Sequence, residues 1–96
     1  MEINEKLVQK VKTYLRINHS ALDSDLQDAI AACLRDLGIG GVATPADDPL
    51  ILNAVKLYCK AAYIDDPVKS AAYQARYNDL KACLSMAGEY REEAEQ

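Results

Sequence analysis

Apolar residues recur at helical spacing in four separate stretches, and no stretch reads as a strand. Ile3, Leu7, Val8, Val11 and Leu15 predict a first helix over residues 2–15. Arg16 to Leu22 reads as a connector. Ser24-Asp25-Leu26-Gln27 has the form of a capping box, in which Ser bonds the N–H three residues on and Gln reaches back. A second helix follows to Leu37 with Leu26, Ala29, Ile30, Cys33, Leu34 and Leu37 on one stripe. Gly38 suits the left-handed position just past its end.

Two Asp-Asp-Pro units open the last two helices, at Asp47-Asp48-Pro49 and Asp65-Asp66-Pro67. Asp accepts a hydrogen bond from an otherwise unpaired N–H of the first turn, and Pro fits the first helical position, where its missing N–H costs nothing. The third helix spans residues 49–63 and has only Asn53, Lys56 and Lys60 as polar interior positions. A helix apolar on nearly every side belongs at the centre of its fold. The fourth runs over 67–87 with Tyr73, Tyr77, Leu80 and Leu84. The expectation is an all-α small bundle of four main helices, one domain over 1–88, with a mobile loop after the second helix and a flexible acidic tail over 89–96.

Composition narrows the class. Ninety-six residues hold one modest core. With no Trp and no Phe, its large anchors must be Leu, Ile, Val and the six Tyr. Tyr14, Tyr58, Tyr73 and Tyr77 sit at stripe positions and read as core, whereas Tyr63 and Tyr90 fall at helix ends and read as partner-facing. The net charge of −4 argues against nucleic-acid binding as the main activity. Lys6, Lys10, Lys12 and Arg16 of the first helix read as a solvated face. No apolar run approaches the roughly 20 residues of a membrane span, and the charged start Met-Glu-Ile-Asn-Glu-Lys is unlike a secretory signal. A soluble, intracellular chain is expected. Three Cys without a Cys-x-x-Cys pair fit reduced thiols better than a disulfide framework.

The candidates for chemistry are weak. His19 is the only histidine and shares a connector with Ser20 and Asp23, but neighbours in one loop rarely reach the geometry of a triad. Cys33, Cys59 and Cys83 could join His19 as zinc ligands, yet each lies on or beside an apolar stripe and the paired spacing of structural zinc sites is missing. Gly38-Ile39-Gly40-Gly41-Val42-Ala43 matches a nucleotide-loop pattern, but it follows a helix where that loop must follow a strand. The paired aspartates read as helix caps, not as a divalent-cation site. No catalytic residue, metal or cofactor is expected, and the chain does not read as an enzyme. Two segments remain without a role in the core. The loop over 39–46 presents Ile39 and Val42 on a backbone made adaptable by Gly40 and Gly41, and the tail presents Tyr90 beside Arg91 and Glu92.

Three ordered stretches carry a resemblance. They are Val8 to Ile17, containing VKTYLRI; Asp48-Pro49-Leu50-Ile51 followed by Ala54-Val55-Lys56-Leu57-Tyr58-Cys59-Lys60-Ala61; and Tyr77-Asn78-Asp79-Leu80-Lys81 through Leu84 to Ala87-Gly88-Glu89-Tyr90. In this order the chain resembles the head–tail connector proteins of tailed bacteriophages, the head-completion adaptors often labelled DNA-packaging proteins. At Ile64 it departs from the glycine that the family places after the aromatic closing the third helix. The resemblance implies a structural protein of a phage or prophage, present in the bacterial cytoplasm during assembly and then at the head–tail junction of the virion. It implies a homo-oligomeric ring beneath the portal protein, built from subunits that can be monomeric when free. Such a ring extends the DNA channel, lets DNA pass without specific binding, docks the next connector or tail protein, and involves no membrane. Ile39, Gly40, Gly41, Val42, Tyr63, Tyr90, Arg91 and Glu92 are then the expected interface. The alternative reading is a small intracellular helical regulator that binds a protein, or binds DNA through the first helix.

Overall fold

A computed structural model describes residues 1–91. Four α-helices follow one another: α1 (Glu5–Leu15), α2 (Asp23–Ile39), α3 (Pro49–Tyr63) and α4 (Pro67–Met86), with a short 3-10 turn at Gly88–Tyr90. The fold is an all-α bundle, and the only β-type pairing among the described residues is an isolated antiparallel bridge between Val42 and Arg91.

The Asp-Asp-Pro units act as helix starts. Asp48 Oδ1 accepts from the N–H groups of Leu50 (2.9 Å) and Ile51 (3.2 Å), and Asp66 Oδ1 accepts from those of Val68 (2.9 Å) and Lys69 (3.2 Å). In each the second Asp is the cap and Pro takes the first turn. α1 starts later than its apolar pattern suggests, because Asn4 caps it by accepting from Leu7 N–H at 2.8 Å.

α2 departs from expectation at both ends. The capping box at Ser24 does not form. The helix begins one residue earlier, at Asp23, with no side-chain cap. Asp23 instead meets Lys12 of α1, Nζ to Oδ1 2.8 Å, an ion pair that approaches too obliquely to be a hydrogen bond. Lys12 is therefore buried and not part of a solvated face, while Lys6, Lys10 and Arg16 remain exposed. At the other end Gly38 stays helical. The left-handed residue is Gly41, with φ of 81°, and Val42 N–H closes the terminus on Leu37 O at 2.9 Å.

α3 lies at the centre and packs against each of the other three helices. It buries Ile51, Ala54, Val55, Leu57 and Cys59 against Leu7, Val8 and Val11 of α1, Leu26, Ile30, Cys33 and Leu37 of α2, and Tyr77 and Leu84 of α4. Tyr77 alone of the four stripe tyrosines is fully buried; Tyr14, Tyr58 and Tyr73 are half-buried at the core's edge. α3 and α4 run antiparallel, as the Ser70 hydroxyl donating to Ala61 O and the edge-to-face contact of Tyr58 with Tyr77 show. The C-terminus of α2, the start of α3 and the end of α4 consequently share one end of the bundle.

Candidate assembly surface

That end is more ordered than the sequence suggests. Val42 is a core residue at 1% exposure, not an exposed loop position. Its neighbour Ala43 donates its N–H to Tyr90 O at 2.7 Å, and the 3-10 turn folds back along the loop. Tyr90 is also buried, and its hydroxyl donates to Asp48, lying 2.9 and 2.8 Å from the two carboxylate oxygens. One aspartate thus caps α3 and anchors the C-terminal turn. The hydrogen bond to Asp48, with burial and the negative charge behind it, pushes the Tyr90 phenol up to about 12. Burial draws the Asp48 carboxyl upward, but the bonds from Tyr90 and from Ile51 and Leu50 N–H outweigh it and hold the carboxyl below its ordinary value. The expectation of a free tail from Glu89 is therefore corrected for Glu89 to Arg91. Glu92 and the rest of the acidic tail lie outside the described residues.

The sequence-picked interface residues do not form one set. Ile39, Gly40, Gly41 and exposed Arg91 belong to this end. Ile39 is 79% exposed. Gly40 makes room for the Lys81 stem, whose Cε would lie 2.9 Å from a Cβ there. Tyr63 sits at the opposite end, half-buried in a hollow with Leu15, Ile17 and Leu22. Two further apolar residues, Leu50 at 45% exposure and Met86 at 73%, stand at the first turn of α3 and the last of α4, and sequence reasoning missed both. Neither breaks its helix's periodicity enough to be noticed. Only the antiparallel packing of α3 and α4 brings them to the end that carries Ile39.

A polar seam joins α2 to α4 just below this surface. The Tyr77 hydroxyl donates to Asp36 Oδ2 at 2.7 Å, and Lys81 Nζ donates to the same oxygen at 3.0 Å. The Cys33 thiol points at Tyr77 Oη from 3.9 Å. The Tyr77 bond, opposed by burial and aided by Lys81, lowers the Asp36 carboxyl below its ordinary value. Burial and then Asp36 push Tyr77 upward. The sequence marks Tyr77 as core but gives no sign of its partner, 41 residues away.

The remaining candidates stay apart. His19 is exposed, and its Nδ1 accepts from Ala21 N–H at 3.3 Å, within its own turn. Cys33 and Cys59 are buried, and burial pushes each thiol up to about 12, so both stay protonated and poorly nucleophilic. Cys83 is exposed on α4, not on its apolar stripe. Among the described residues no three His, Cys, Asp or Glu side chains converge as a metal-ligand set, and no helix is long and apolar enough to cross a membrane.

No protein-family model, curated protein or solved structure matches the chain.

Proposed function

We propose that the chain is a non-enzymatic structural adaptor, a phage or prophage head–tail connector. Its subunits form a ring beneath the portal and dock the next connector or tail protein. The observation that carries this reading is the bundle end that carries exposed Ile39, Leu50 and Met86 together with a loop and C-terminal turn already locked together through Tyr90 and Asp48. A preordered platform with apolar residues at its surface binds a partner without first ordering its own backbone. A ring requires a heterologous contact whose rotation closes, and two different ends of one elongated bundle supply such a pair of surfaces. The ordered stretches around Asp48-Pro49 and Tyr77 to Tyr90 support the same reading.

The test mixes the purified protein with portal-bearing, DNA-filled capsids and images the portal vertex by electron microscopy. Bound protein is expected as a ring, and Ile39→Asp with Met86→Asp is expected to abolish it while leaving the melting temperature unchanged. Wild-type protein that does not bind, or doubly charged protein that binds as well as wild type, overturns the proposal.

A further inference from the structure

The side of the molecule where α1, α3 and α4 meet carries a chain of cations and aromatic rings. Lys56 Nζ lies 5.7 Å from the Tyr14 ring centre and Lys60 Nζ 5.8 Å from it. Lys60 Nζ also lies 5.9 Å from the Tyr73 ring centre, and the Arg76 guanidinium carbon 5.4 Å from it. These separations are within the range of cation–π attraction. Lys10 and Lys6 stand one and two turns before Tyr14 on the same side of α1. Both line a hollow with Leu52, one turn before Lys56 on α3. Five cations therefore occupy one face, and among the described residues none of the five is in an ion pair; the two ion pairs present use Lys12 and Lys81. Acids border the face without pairing with it: Glu2 and Asp47 line the same hollow as Lys6 and Lys10, Asp65 lines a hollow with Lys60, and Asp79 lies one turn beyond Arg76.

The placement has a physical consequence. A carboxylate partner fixes a lysine but cancels its charge. A tyrosine ring fixes it and leaves the charge in place. Tyr14 and Tyr73 thus hold Lys56, Lys60 and Arg76 while the face keeps its full positive potential. With five of the eleven cations gathered here, six are left to share the rest of the molecule with most of its fifteen acids, so the chain is polar in charge despite its net −4.

We propose that this face binds the phosphate backbone of duplex nucleic acid, without regard to sequence. Lys6 with Lys10, and Lys56 with Lys60, are i,i+4 pairs that place charges about 6 Å apart along their helices. A DNA duplex offers one negative charge per about 1.7 Å of axis, so such rows meet phosphates in any register. Lysine ammonium groups are point charges that neutralise phosphate but read no base edge. The ring faces are already covered by cations, which excludes base stacking and favours an intact duplex over a single strand. The inference stands independently of the connector reading; within a connector, this face is the one turned toward the DNA.

Fluorescence anisotropy of a labelled duplex of about 20 base pairs, titrated with the full-length protein between about 50 and 200 mM salt, tests it. Three to five phosphate contacts give a log–log salt slope of about −2.7 to −4.5, a loss of roughly 40- to 500-fold in affinity across that range. Lys56→Gln with Lys60→Gln is expected to make the slope shallower by about 1.8. Arg35→Gln, on exposed α2 surface, is expected to leave it unchanged. Circular dichroism of each variant shows that it is folded. Absence of binding at about 100 µM protein in low salt overturns the proposal, because non-specific binding normally falls within that limit. So does a slope indifferent to the lysine changes. Equal displacement of the duplex by a polyglutamate peptide of matched charge reassigns the face to an acidic protein. None of these outcomes depends on capsid capture, so the two proposals fail separately.

Discussion

Tyr77→Phe isolates one bond that ties α4 to α2. The substitution keeps the ring, and with it the edge-to-face contact with Tyr58 at 5.2 Å and 71°. It removes the hydroxyl that donates to Asp36 at 2.7 Å and that faces the Cys33 thiol at 3.9 Å. Hydrogen bonds to charged groups contribute about 1.5–3 kcal/mol. Asp36 is partly exposed and retains Lys81, so water and the ammonium compensate in part and the cost falls at the low end, about 1.5 kcal/mol. For a domain of this size that corresponds to a fall of roughly 6–12 °C in Tm. Urea unfolding should show a lower midpoint at unchanged slope, since the surface exposed on unfolding is the same. The pH dependence supplies a second reading. The Asp36 carboxyl is lowered in the folded state, so its contribution is fully present above the ordinary value of 3.8 and is lost as pH falls through the lower folded value. The cost of Tyr77→Phe should therefore shrink on acidification below 3.8. An unchanged midpoint at neutral pH, or the same loss on both sides of that transition, would refute the assignment of this bond as a charge-assisted tie.

Other outcomes follow from burial. Val42→Asp is expected to destabilise by about 3 kcal/mol or more, because the charge enters the core, whereas Ile39→Asp should change stability by no more than about 0.5 kcal/mol; urea midpoints of the two variants compare them. Tyr90→Phe should lower Tm and speed amide exchange at Ala43, whose N–H is held by Tyr90 O, and unchanged exchange there would show that the turn does not need Asp48. A chain truncated after Gly88, which lacks Tyr90, should melt at a lower temperature than one truncated after Arg91; equal melting of both chains would contradict the docking of the 3-10 turn. A thiol reagent should modify Cys83 rapidly in the native protein and reach Cys33 and Cys59 only in denaturant, with rapid reaction of all three overturning the burial of the latter two.

What the sequence makes legible is what depends on neighbours along the chain. Asp48-Pro49 and Asp66-Pro67 announce helix starts because cap and acceptor are two or three residues apart. The apolar surround of α3 announces its central position for the same reason, since burial is averaged over a helix's own turns. The misreadings come from competition at a distance. Ser24 loses its cap role because Lys12, eleven residues before Asp23, draws that aspartate into an ion pair and the helix starts with it. Gly38 looks like a terminator, but Leu37 O is satisfied by Val42 N–H only if the left turn waits until Gly41. Tyr90 looks like a lone anchor in a charged tail, and nothing local shows that Asp48, 42 residues earlier, has a spare carboxylate oxygen to receive it. Ile39 reads correctly as exposed but not as a loop residue: it is the last residue of α2, outside the buried stripe that ends at Leu37.

The burial along α4 bears on the proposed role in assembly. Of its twenty residues only Tyr77 and Leu84 are fully buried, and the rest of its inward side is filled by half-buried Tyr73 and Leu80. A helix this long, held by so few core residues, depends on the ties at its ends: the Asp66 cap and Ser70 at its start, the Asp36 seam and the Tyr90–Asp48 clasp at its finish. Those ties fix its position without covering its outer surface, so the helix stays in place and remains accessible. Met86 at its last turn and Arg76 near its middle are thereby presented on a rigid element to the two kinds of neighbour proposed above, apolar at the bundle's end and anionic along its side. Rigid presentation spares the ordering cost that a flexible segment would bring to each contact, and it makes the two surfaces separable by mutation: charges placed at Ile39 and Met86 should leave salt-dependent duplex binding intact, and neutralising Lys56 and Lys60 should leave capsid capture at low salt intact.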